Sequence, residues 1–310
     1  DGVLSSVCYP SFARFCGQTF LEAQDKELGF ECVKAYNDWM IDEWCGSVAK
    51  DRLVPMIIIP HWDPKLAAGE IERCAAKGAR GLSFSENPTK LGLPSIYDAN
   101  RYWDPVLDAA ANARLVLGIH IGSSSWIPMS SPDASHLSAV IWGTASVASC
   151  TLTDWLLSGN LVRFPQLKIS LSEGGIGWIP YFLERAVRSV EHHRHWAAVR
   201  GNFGDENSSF EVHEDSTLID YSDFDPYELF RNNISSCGFC DTEEFAFRHI
   251  EEVGVDNVTV ESDYPHADGT WPNSLKIAKE HVRSLSEEDQ YKVLQGNARK
   301  LFRIDPVEPQ

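Results

Sequence analysis

Residues 115–125 read LVLGIHIGSSS, an apolar run that carries one histidine, His120, and closes on a glycine and three serines. A short run apolar on both faces fits a strand buried between two layers, and it is too short for a core helix. The pattern recurs on either side. Upstream lie 3–8, 53–59 (LVPMIII) and 81–84; downstream lie 167–172 (LKISLS), 234–237 and 257–261 (NVTVE). Helix-like periodicity fills the gaps. It covers 22–48, where Leu28, Cys32, Ala35 and Trp39 mark one apolar face, then 64–77, 101–113, 135–158, 177–199, 242–253, 272–284 and 287–301. Seven strands, each followed by a helix, predict a parallel sheet covered by helices. No strand runs into G-x-G-x-x-G or a phosphate-binding loop. Polar residues gather instead at the C-terminal strand ends, where barrel enzymes keep their chemistry. The predicted fold is α/β, a distorted (β/α)8 TIM barrel forming one domain over 1–310, one strand short of eight.

The 310 residues include 27 Lys and Arg against 45 Asp and Glu, a formal charge of −18. A hydrophobic share of 43%, with 10 Trp and 15 Phe, is ample for a core and excludes a disordered chain. The negative charge argues against nucleic acid or an anionic membrane as partner. No apolar stretch nears the roughly 20 residues of a membrane span. Residues 1–4 lack the character of a secretory leader, and eight scattered Cys read as reduced thiols, so the expected setting is cytoplasmic. Cys237 and Cys240 make a lone C-x-x-C, short of the four ligands of a structural zinc. One stretch, about 200–225, is polar and acidic, with Phe203, Phe210, Tyr221 and Phe224 among its few apolar residues. It reads as an insertion at the end of the barrel away from the chemistry, solvated or in a subunit contact, with a lid over the site as the alternative. Its aromatic residues point to a homodimer or higher homo-oligomer.

Three strand ends carry the residue types that hold divalent metals. They are His120 in the opening run, Glu173 in Ser172-Glu173-Gly174-Gly175, and Asp263 in Ser262-Asp263-Tyr264-Pro265-His266. In a barrel all three face one mouth. His266, three residues past Asp263, and His61, after the strand 53–59, are further candidates for contact with metal or substrate. Trp126 and Trp271 sit on mouth loops and are candidate walls of a substrate pocket. His192, His193 and His195 lie on an outer helix without the H-E-x-x-H pattern and read as a solvated face.

From about Val3 to Arg303 the chain resembles the amidohydrolase superfamily, in the branch of metal-dependent hydrolases that includes aminocarboxymuconate-semialdehyde decarboxylase. The carrying pieces are Gly118-Ile119-His120, the run 163–169 leading to Glu173-Gly174-Gly175, Ser262-Asp263-Tyr264-Pro265, and Gly296-Asn297-Ala298 before Leu301-Phe302. If 3–8 is the second strand, His120, Glu173 and Asp263 end the fifth, sixth and eighth. The resemblance assigns these ends a metal-ligand His, a second ligand or catalytic base, and an Asp that binds metal and handles a proton. The family's first strand, with its paired ligands, is expected upstream of Asp1. Two departures stand out: Glu173 replaces a His, and 81–86 holds no Lys to bridge two metals. The resemblance implies one or two divalent ions, with Fe or Mn favoured by a carboxylate-rich site and Zn still admissible. It implies a small-molecule substrate and a water-activating hydrolase acting on an amide, ester or thioester, with His120, Glu173 and Asp263 on the metal. The alternatives are non-oxidative decarboxylation of an unsaturated or aromatic acid, and a metal-free binding barrel.

Overall fold

The strands of the computed structural model, in chain order, are β1 (Ser6–Cys8), β2 (Leu53–Ile57), β3 (Gly81–Phe84), β4 (Val116–His120), β5 (Lys168–Ser172), β6 (Val199–Arg200), β7 (Glu211–Val212), β8 (Ile234–Cys237) and β9 (Val258–Thr259). The structure describes residues 1–48, 52–196, 199–200, 211–212, 221, 223–237 and 244–305. Seven strands pair in parallel as β1-β2-β3-β4-β5-β8-β9, so spatial order follows chain order. That is the winding of a (β/α)8 barrel short of one strand, with β1 and β9 as its edges. All seven lie inside the runs read from sequence.

Local chemistry sets the crossovers. Pro64 opens the helix Pro64–Ala76, and the Asp63 side chain accepts from the backbone N–H groups of Lys65 and Leu66. Asp225 before Pro226 repeats the device for the helix Pro226–Asn233. Trp155, Phe84 and Phe230 are fully buried in the layer between sheet and helices. Inside the curl of the sheet a smaller cluster joins Val54, Met56, Val116 and Phe302.

The stretch 22–48 folds differently from its periodicity. It divides into a helix Lys26–Asp38 and a π-helical stretch Trp39–Val48. The buried side is Gly29, Val33, Asn37, Met40 and Ile41, whereas Leu28 and Trp39 are exposed. The cause is Asn37. Its side chain donates to Ile58 O (2.9 Å) and Glu70 Oε1 (2.7 Å) and accepts from Ile58 N (2.9 Å). Those bonds continue the backbone pairing beyond β2 and turn a polar residue inward.

Strands β6 and β7 form an antiparallel ribbon within the acidic insertion. Phe203, Phe210 and most of 200–225 lie outside the described residues, as does Cys240. Tyr221 and Phe224 are half-buried. Their rings are 5.5 Å apart, the Tyr221 hydroxyl donates to Leu157 O (3.4 Å), and Phe224 packs on the core. Among the described residues no helix is long and apolar enough to cross a membrane.

Gly118 in β4 tests the inner packing. A Cβ there would overlap Met56 Cε and lie 2.6 Å from the Tyr9 hydroxyl. Gly118→Ala is expected to cost about 1–3 kcal/mol by overpacking, read as a lower urea midpoint with an unchanged m-value.

Candidate active site

Adjacent parallel strands bring the first two side chains together. In the β4–β5 register His120 pairs with Ser172, which places Glu173 just beyond the end of β5. His120 Nε2 lies 2.7 Å from Glu173 Oε1. The other ring nitrogen, Nδ1, is 2.7 Å from Ile121 O, which accepts only, so Nδ1 carries the proton. His120 therefore turns its Nε2 toward a carboxylate. A proton or a metal cation must lie between them.

The third side chain comes from the far edge of the sheet. Asp263 follows β9, and its loop folds back on itself. Backbone bonds run from His266 N to Asp263 O (2.8 Å) and from Thr270 N to Ser262 O (3.2 Å). Gly269 closes this loop, since a Cβ there would sit 2.9 Å from Ser262 O. The fold-back sets His266 Nδ1 2.7 Å from Asp263 Oδ1 and 3.8 Å from Glu173 Oε1. Donor atoms of Glu173, Asp263 and His266 lie within 4.8 Å of one another, and His120 joins them through Glu173.

Glu173 and Asp263 both adopt left-handed backbone, φ 60° and 50°. Non-glycine residues rarely do so, and such strain gathers at functional sites. Behind Glu173 the turn lies flush on the helix His136–Leu157, because a Cβ on Gly174 would overlap Ala148 Cβ. Trp178 Nε1 donates to Gly174 O (2.6 Å) and fastens the turn.

The electrostatics are those of crowded acids. Burial pushes the Glu261 carboxyl up to about 8, the charge on Glu173 adds to this, and the Glu173 N–H, 3.2 Å from both Glu261 oxygens, opposes it. Burial and contact with Glu173 push Asp263 up to about 6, with His266 pulling the other way. Burial also raises Glu173, but contacts with His120, Asp263 and His266 together outweigh it and leave that carboxyl below its usual range. Asp263 is thus the proton-holding partner and Glu173 the ionised one.

Two aromatic residues frame His120. Phe15 stacks on its ring at 4.1 Å, and Tyr9 meets it edge-on at 5.2 Å. The Tyr9 hydroxyl is 2.9 Å from Ser172 Oγ, and burial raises its pKa well above the ordinary phenol value. Sequence reading missed Tyr9 and Glu261. Tyr9 directly follows β1 and Glu261 lies two residues past β9, so strand-end position was the available signal. Phe15 had none.

Of the sequence candidates, the structure brings His120, Glu173, Asp263 and His266 together. His61 is not with them. It is buried with its ring 5.7 Å from Phe84 and 5.9 Å from Trp103, and burial lowers its pKa to about 4. The chain turns inward after β2, and Nδ1 bonds Ile59 O (3.0 Å), two residues back. Trp126 and Trp271 are exposed, Trp126 beneath the Lys90 ammonium at 4.2 Å and Trp271 5.6 Å from the Tyr264 ring. His192, His193 and His195 are exposed, as expected.

Comparison with known proteins adds a family to this geometry. A gamma-resorcylate decarboxylase of Polaromonas sp. is 24% identical over 297 residues, 91% of this chain and 79% of the relative. The structure of 5-carboxyvanillate decarboxylase from Sphingomonas paucimobilis superposes with a TM-score of 0.66 at 23% identity, covering 92% of this chain and 76% of that one. A dihydroxybenzoic acid decarboxylase from Polaromonas sp. JS666, solved with bound manganese and the inhibitor 2-nitroresorcinol, gives 0.60 at 19%, covering 99% and 81%. The amidohydrolase family model Amidohydro_2 matches residues 3–304, and the protein belongs to that family.

Proposed function

We propose that the protein is a divalent-metal-dependent, non-oxidative decarboxylase of an aromatic carboxylic acid. The observation that carries the reading is the Glu173–Asp263–His266 donor cluster with His120 Nε2 against it. Two carboxylates and imidazole nitrogens suit a dication such as Mn, Fe or Zn. Glu173, Asp263 and His266 would hold it, with His120 presenting Nε2 from the Glu173 side. When bound, the ion supplies positive charge that offsets the acids and orients the substrate's oxygens. Hydrolysis, the reading favoured from sequence, gives way because the relatives named above act as decarboxylases over nearly the whole matched length.

In this reaction the residues' work is proton transfer. Asp263 donates a proton to the ring carbon that bears the carboxylate. The bond from that carbon to the carboxylate then breaks. Its electron pair restores the ring, and carbon dioxide leaves. His266, 60% exposed and hydrogen-bonded to Asp263, connects the acid to solvent for reprotonation. Glu173 stays ionised and keeps the proton on its neighbour. Phe15 and Tyr9 wall off one side of His120 from water.

Two measurements test this. The purified protein, loaded with Mn(II), Fe(II) or Zn(II), is expected to release carbon dioxide from a hydroxybenzoic acid in a panel that includes esters and thioesters. A chelator should stop it. Asp263→Asn should lose more than the roughly 100-fold of a supporting-residue change; Glu173→Gln should lower the bound metal. Acid release from an ester without carbon dioxide would restore the hydrolase reading.

The second measurement is the pH dependence of the metal-free chain. Glu261 titrates near 8 when folded against 4.5, and Asp263 near 6 against 3.8. Between these values the folded state binds more protons than the unfolded one, so their contribution to stability falls as pH rises from about 4 to about 8. Urea denaturation in chelator at pH 5 and pH 8 should show that loss, reduced in Glu261→Gln and reversed by added metal. An unchanged pH dependence in Glu261→Gln would show that the buried acid is not its source.

A further inference from the structure

A buried carboxylate is costly when no cation pairs with it, and the barrel keeps one that the proton chemistry above does not use. Glu86 lies two residues past β3 and is 8% exposed. Its oxygens take the Ser124 hydroxyl (2.6 Å) and the Ser123 hydroxyl, and the backbone N–H groups of Glu86 and Ser124 add to these. Neither an ammonium nor a guanidinium pairs with it among the described residues. Burial prevails over the hydrogen bonds and raises the carboxyl above its usual range.

Ser123 is where this acid meets the active site. The residue is fully buried, and each of its polar groups is committed. Its Oγ accepts the Glu86 N–H (2.9 Å), which leaves the hydroxyl proton for the Glu86 carboxylate. Its N–H donates to His120 O (3.1 Å). Its carbonyl accepts from Gln18 Nε2 (2.7 Å) and Cys16 Sγ (3.3 Å). Cys16 follows Phe15, whose ring stacks on His120. Between His120 and Ser123 lies Ile121, the acceptor of the His120 Nδ1–H (2.7 Å). The turn needs such anchoring, because Gly122 and Ser125 are both left-handed, φ 77° and 60°. Ser124 makes an internal control: it bonds the same carboxylate but not His120.

We infer that Glu86 is a positioning residue for His120, acting through Ser123 to hold the ring with Nδ1–H on Ile121 O and Nε2 toward Glu173. This role rests on the decarboxylase reading only in taking His120 as part of the working site, because the bonds themselves do not depend on the reaction.

The test uses the full chain and needs no turnover. In the metal-free protein, nitrogen-15 NMR follows the exchange of the His120 Nδ1–H with water. Calorimetry then measures binding of Mn(II) alone, and urea midpoints report folding. Ser123→Ala and Glu86→Ala should each speed that exchange by about tenfold or more and weaken Mn(II) binding about tenfold, the low end of supporting-residue changes. Glu86→Gln, whose side-chain oxygen still accepts the Ser123 hydroxyl, should recover most of both. Ser124→Ala should stay within about twofold of the wild type in both, although it loses a bond to the same acid. If Glu86→Ala does not fold, Ser123→Ala carries the test against Ser124→Ala. Unchanged exchange and Mn(II) affinity in folded Ser123→Ala overturn the inference. An equal effect in Ser124→Ala does so too, since it would make Glu86 a support for the whole loop. The reaction assignment fails separately. If no aromatic acid yields carbon dioxide but the exchange depends on Ser123, the reaction falls and the positioning role stands. Carbon dioxide release with unchanged exchange has the opposite meaning.

Discussion

Like charges held in one small space are the constraint on which the site depends. Glu173, Glu261 and Asp263 come from the ends of β5 and β9, and the parallel sheet gives them no room to part. Two carboxylates in contact repel strongly where water is scarce, and the ordinary remedy is to keep a proton on one of them. Burial displaces Asp263 and Glu261 upward and the charge on Glu173 adds to it, while contacts with His120, Asp263 and His266 keep Glu173 low. The backbone strain at Glu173 and Asp263 belongs to the same arrangement. Relaxing either φ would swing its carboxylate out of the cluster, so the surrounding packing must hold both. Gly174 against Ala148 and Gly269 under the Ser262 carbonyl are where it does so.

The sheet was legible because buried parallel strands are apolar on both faces and end abruptly in polar residues. Each of the seven runs contains its strand, and His120, Glu173 and Asp263 could be found as the polar residues at three of those ends. The helix face at Leu28, Cys32, Ala35 and Trp39 was not legible for an opposite reason. Apolar periodicity assumes that polar residues face water, and Asn37 breaks the assumption by substituting for a missing strand neighbour at Ile58. His61 was misplaced because a strand end was equated with the mouth. Its backbone turns inward after Ile59, and the ring lands among Phe84 and Trp103. Tyr9 and Glu261 went unnoticed since neither is distinctive alone; each matters through a contact with a distant strand, at Ser172 and at the Glu173 amide.

The π-face surroundings of His120 bear on how such a site is kept in order. An imidazole whose Nδ1 proton is committed to the Ile121 carbonyl has one orientation left, and Phe15 at 4.1 Å prevents the ring from turning out of it. Phe15 is itself tied down, since its carbonyl accepts the Ser83 hydroxyl from β3. The Tyr9 hydroxyl reaches Ser172 only because Gly118 has no side chain. The orientation of His120 is therefore set by β1, β3, β4 and β5 together.

Glu173, where the resembling family carries a histidine, changes what the mouth can do with a proton. An imidazole there would titrate independently of Asp263 near neutral pH. A carboxylate instead couples to Asp263, and the pair retains one proton into the range where either alone would have lost it. An acid displaced upward suits proton delivery to carbon, the demand of decarboxylation, better than water activation, which calls for a base. The same coupling makes metal and proton compete for Glu173 and Asp263, because a dication neutralises the charge that keeps the proton in place. His266 is bonded to Asp263 at the solvent side, and His120 meets Glu173 from within. The proposed reaction thus needs the two carboxylates to divide their roles. The division already written into their opposite pKa displacements supplies it.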